Sequence, residues 1–69
     1  MAFGTNDKCR LTDNSPLFPG RTGFFQRLET SFSMNGERRM MAVMANHAVN
    51  DKHPMTAFFM ADPRDLYKL

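Results

Sequence analysis

The sequence predicts a small single α+β domain, strand-helix-strand behind an irregular N-terminal arm, and three observations lead to it. Residues 24–34 alternate apolar and polar with a period of two. Residues 37–49 are helix formers almost throughout and gather methionines on one arc. Residues 54–61 form a short apolar run that begins on a proline, where a strand tolerates the missing donor. At 69 residues the chain makes one domain at most, divided into an arm over 1–23 and the α+β unit over 24–69.

The arm is read from its turn formers, among them Gly4, Asn6, Asp13, Asn14, Pro16, Pro19 and Gly20. Its apolar residues Phe3, Leu11, Leu17 and Phe18 come singly, with neither a two-residue nor a 3.6-residue period. Phe3, Leu17 and Phe18 are therefore its candidate anchors. In the strand that follows, Phe24, Gln26, Leu28, Thr30, Phe32 and Met34 share one mostly apolar face, and Arg27 and Glu29 point to solvent.

The helix is expected over residues 36–49. Met40, Met41, Val43, Met44 and Ala48 fall on one side at about 100° per residue, with Arg38 and Arg39 opposite, and Asn35 serves as N-cap. Asn35-Gly36 offers a competing outcome, because Asn-Gly between apolar stretches is a strong hairpin signal. That alternative is a three-stranded antiparallel meander pairing Phe32 with Arg39 and Leu28 with Val43. Composition favours the helix, since residues 37–48 hold a single β-branched residue and do not alternate. A second strand follows over 55–61. Asp62-Pro63 then caps a terminal turn of helix.

A domain of this length buries only roughly 60% of the surface its unfolded chain exposes, so it gains from a staple. One cysteine, Cys9, excludes a disulfide within the chain. Association with a partner is the staple that remains. Seven methionines and seven phenylalanines supply much of the apolar content and isoleucine is absent, and methionine suits both an irregular core and an adaptable contact face. The net charge of +2 is a mild basic bias. No run of 18 apolar residues predicts a membrane span, and the first residues lack the apolar stretch of a secretory signal. A cytoplasmic or equivalent reducing compartment is expected.

Little in the sequence suggests chemistry. His47, Asp51 and His53 have a spacing that a metal could use, but they straddle a polar turn where such residues belong anyway. Cys9 has Lys8 and Arg10 beside it but no histidine near in sequence to serve as base. The four glycines are too far apart for a phosphate-binding loop. The sequence thus predicts no enzyme, cofactor or metal site. It predicts a non-enzymatic protein-binding module: an accessory subunit of a larger assembly, or a small regulator docking on a larger protein or on itself. The expected contacts are Phe3, Leu17, Phe18, Met40, Met41 and Met44, with Arg38 and Arg39 pairing with carboxylates. The alternative is a nucleic-acid-binding accessory protein using Arg21, Arg27, Arg38 and Arg39 with exposed Phe18, Phe24 and Phe25.

Overall fold

In the computed structural model, which describes residues 3–32, 34–55 and 57–69, the chain is an antiparallel β protein without an α-helix among those residues. Its strands are β1 (Lys8–Leu11), β2 (Thr22–Phe32), β3 (Arg38–Ala45), β4 (Phe58–Ala61) and β5 (Leu66–Lys68), with a 3₁₀ turn at Pro63–Asp65. They form one sheet in the order β4-β3-β2-β1-β5. The α+β expectation is therefore corrected: the segment read as a helix is β3. The hairpin alternative lies nearer, since β2 and β3 are joined around Asn35-Gly36. Even so, the sheet has five strands rather than three, and the pairs are Phe32 with Arg38 and Leu28 with Ala42, one residue from those expected. Ser33 and Thr56, which fell within the expected strands, and Met1 and Ala2 of the arm lie outside the described residues.

Residues 38–45 fail to alternate for a physical reason. At its outer end β3 is exposed on both faces, and Ala42, Val43, Met44 and Ala45 at its inner end are buried on both. A strand that runs from a free ribbon into a sheet centre shows a step in polarity along its length, not a period of two. Helix propensity is a weak prior of a few tenths of a kcal/mol per residue, and tertiary pairing overrides it.

The alternation expected of residues 24–34 is present but breaks phase. Phe25 faces Met44 and Arg27 faces Val43, so Gln26 is a bulge. The break turns Phe25, not Phe24, into the core, and places Leu28, Thr30 and Phe32 on the same face further out. Asn6 secures the bulge. Its Oδ1 accepts from Gln26 Nε2 at 3.0 Å and from the Val49 amide at 2.9 Å, while its Nδ2 donates to the Val49 carbonyl at 2.8 Å. Asn6 lies at φ 69°, a left-handed conformation that asparagine tolerates better than most residues.

The segment 1–23 contributes β1, which pairs with both β2 and β5. Four residues are too few for a period to show in the sequence. The terminal turn is 3₁₀: the Asp62 carboxylate accepts from the Arg64 amide at 3.0 Å, and the chain then continues into β5, which the sequence had not suggested.

Strand order and connection length together fix the shape. β4 and β5 are opposite edges, about 19 Å apart across four strand spacings if the sheet were flat. Only residues 62–65 join them, and the Asp65 amide closes back on the Asp62 carbonyl at 2.9 Å. The sheet must curl to bring its edges together. Its inner face then closes one core of Cys9, Leu11, Phe25, Ala42, Met44, Phe59, Ala61 and Leu66, with Phe3 packed against it. Gly23 is required here, since a Cβ would sit 2.9 Å from Phe59 Cζ and 3.1 Å from the Ala45 carbonyl oxygen.

Candidate functional site: an apolar stripe on a projecting ribbon

At about 3.3 Å per residue the 11-residue β2 spans roughly 33 Å, most of the 39 Å long axis of the molecule. Its neighbours are shorter. β1 pairs only with Thr22, Gly23 and Phe24, and β4 only with Ala42–Ala45. Beyond Leu28 and Ala42, therefore, β2 and β3 pair only with each other among the described residues, and they project as a two-stranded ribbon closed by the Asn35-Gly36 turn. Gly36 at φ +81° makes that turn, and Asn35 Oδ1 accepts from the Glu37 amide at 3.2 Å.

Cross-strand partners share a face, so the side of the ribbon continuous with the core carries Leu28, Thr30 and Phe32 from β2 and Met40 and Arg38 from β3. Three of these are apolar and open to solvent: Leu28 is 46% exposed, Met40 49% and Phe32 67%. The Thr30 hydroxyl lies 3.4 Å from Met40 Sδ, between them. The core face thus runs out of the domain as an uncovered stripe. Isolated exposed apolar residues need no explanation, but a contiguous row aligned on one face does.

One cation, Arg38, stands on the stripe's own face beside Phe32, and Arg39 lies on the opposite face with Met41. Arg38 and Arg39 are exposed and make no ion pair among the described residues. Arg39 and Met40 also line a hollow of about 280 Å³ together with Asp62, Pro63 and Arg64. There Arg64 Nη2 holds Asp62 Oδ2 at 2.9 Å, and hydrogen bonds from the Arg64 side chain and amide keep the Asp62 carboxyl below its ordinary 3.8.

The other residues singled out from the sequence are dispersed. Met44 is fully buried in the core and cannot touch a partner, and Met41 is half-buried on the opposite face of β3, across from Glu29. Phe3 is partly buried, its ring 5.3 Å from Phe25. Leu17 and Phe18 are exposed in the β1–β2 connection. Leu28 and Phe32 were missed because an apolar alternating face is ordinarily a buried one. What could have flagged them is the length of the alternation: no other strand in so short a chain could cover all of it.

The four arginines considered for nucleic acid do not gather. Arg21 and Arg38 sit at opposite ends of β2, Arg27 is paired with Glu29 at 2.8 Å, and Phe25 is in the core. His47 and His53 approach with ring centroids 6.3 Å apart, in a turn where the Asn50 side chain accepts from the amides of Lys52 and His53. No group of three metal-ligating side chains is assembled among the described residues. Burial, reinforced by Asp7, pushes the Cys9 thiol above its ordinary 9.0. Among the described residues no helix is long and apolar enough to cross a membrane. Comparison of the chain with family models, with curated proteins and with solved structures finds no match.

Proposed function

We propose that this chain is a non-enzymatic protein-binding module that docks on a larger protein through its β2–β3 ribbon. The observation that carries the reading is the row Leu28, Met40 and Phe32, an exposed continuation of the core face. An apolar centre with Arg38 at its end is the composition of a protein interface, whose buried centre is depleted in charge and enriched in aromatic residues, methionine and arginine. The fitting partner presents an apolar groove edged by a carboxylate, which Arg38 meets on the stripe's own face. Dispersal of Arg21, Arg27 and Arg38 along roughly 33 Å favours this over a nucleic-acid surface, which needs its cations along one track.

The test compares pull-downs from native extract, with and without nuclease, using the wild type and a Phe32→Ser/Met40→Ser variant. The expected result is a protein retained by the wild type, unaffected by nuclease and lost from the variant, while both proteins melt at the same temperature. Equal retention by both, or retention abolished by nuclease, would overturn the proposal.

A further inference from the structure

The end of the core opposite the ribbon is closed by an arginine. Arg21 precedes β2, and its guanidinium lies 4.0 Å from the centroid of Phe59 and 4.8 Å from that of Phe18, whose two rings meet edge to face at 5.4 Å. Arg21 Nη2 donates to Asn46 Oδ1 at 2.7 Å. Nε–H, both Nη1 hydrogens and the second Nη2 hydrogen have no partner among the described residues, so one edge that joins Nη2 to Nε or to Nη1 stays free, and no carboxylate pairs with this half-buried cation. Asp13 is the nearest acid in the same loop; its Oδ1 and Arg10 Nη2 both flank Gly20, and it forms no ion pair with Arg21.

We infer that Arg21, braced by Phe18, Phe59 and Asn46, is a receptor for a carboxylate. The two rings, with centroids only 5.4 Å apart, lie to one side of the guanidinium and leave its other side and its outer edge open to approach. Two N–H groups on one edge match the two oxygens of a planar carboxylate. Contact with the rings removes water from around the charge and strengthens what it binds, and the bond to Asn46 fixes its orientation before a ligand arrives. The backbone supports the same arrangement. Phe18 is held at φ 55°, a conformation costly for a bulky residue, and the amide of Arg21 donates to its carbonyl at 3.1 Å. Leu17 beside Phe18 is 56% exposed and offers apolar contact to whatever carries the carboxylate. The site lies about 33 Å along β2 from the ribbon tip, so it stands or falls independently of the docking proposal.

The Nε–H resonance of Arg21 in ¹⁵N-labelled protein reports on the site directly. Sodium acetate is titrated at constant ionic strength against sodium chloride and sodium phosphate, and the tripeptide Gly-Gly-Leu is added as free acid and as amide. A saturable shift with acetate, absent with chloride and weaker with phosphate, is the expected result. Arg21→Lys keeps the charge but loses the fork and should weaken acetate binding about tenfold or more; Phe18→Ala should weaken it by a smaller factor. Tighter binding of the peptide acid than of acetate and of the amide assigns the carboxylate to a chain terminus. Equal binding of peptide acid and acetate assigns it to a small free acid. A drift identical to that with chloride, saturation by phosphate at lower concentration than acetate, or unchanged binding by Arg21→Lys would overturn the inference.

Discussion

Gly23 and Phe59 show how tightly a small core can depend on one missing methyl group. The Phe59 ring occupies the space a Cβ at residue 23 would fill, and it cannot swing away freely because Arg21 stacks on it and Phe18 meets its edge. The Ala45 carbonyl closes the other side. Gly23→Ala should therefore destabilise the fold by about 1–3 kcal/mol, as overpacking of a filled core does, and urea denaturation checks it. Asp7 contributes to acid behaviour. Its carboxyl is held below the ordinary 3.8, first by the Gly4 amide at 2.7 Å and then by Lys68 at 3.4 Å. A lowered folded-state pKa contributes stability above the unfolded value and loses it as pH falls through the folded value. Asp62, held by Arg64, acts in the same direction. Melting temperature should fall as pH drops below about 4, and Asp7→Asn should be less stable at neutral pH with a shallower acid loss.

The ribbon and its strand β3 account for most of what the sequence showed and hid. The alternation of residues 24–34 was legible, and the turn at Asn35-Gly36 was legible only as the alternative to a helix capped by Asn35. The state of residues 38–45 was not, because a strand exposed on both faces at one end and buried on both at the other carries no period. The bulge at Gln26 was equally hidden: it inverts which of Phe24 and Phe25 is buried, and its hydrogen bonds come from Asn6, twenty residues away. The Arg21 site was half visible. Phe18 lies near Arg21 in the chain, but Asn46 reaches it through the pairing of β3 with β2 and Phe59 from β4, contacts the sequence does not show. Two methionines of β3 separate the roles along its length. Met44→Ala should cost about 2–5 kcal/mol by opening a core cavity, whereas Met40→Ala should stay within about 0.5 kcal/mol. Thermal denaturation of the two variants distinguishes them.

For the whole molecule, 69 residues close one curled sheet around a core built from few large side chains, with Leu11 and Met44 its largest fully buried apolar ones. The chain then extends part of its longest hairpin beyond that core, leaving Leu28, Met40 and Phe32 uncovered. A domain that has little apolar surface to spare gains stability by covering this stripe with a partner. Site-specific photo-crosslinking decides whether a protein partner sits there. A photoreactive phenylalanine analogue replaces Phe32 on the stripe or, as a control of similar aromatic character, Tyr67 on edge strand β5, which is 43% exposed. Irradiation in native extract should join the probe at position 32, and not that at position 67, to one discrete protein. Crosslinks equally frequent from both positions, or none from position 32, would exclude a protein partner at the stripe.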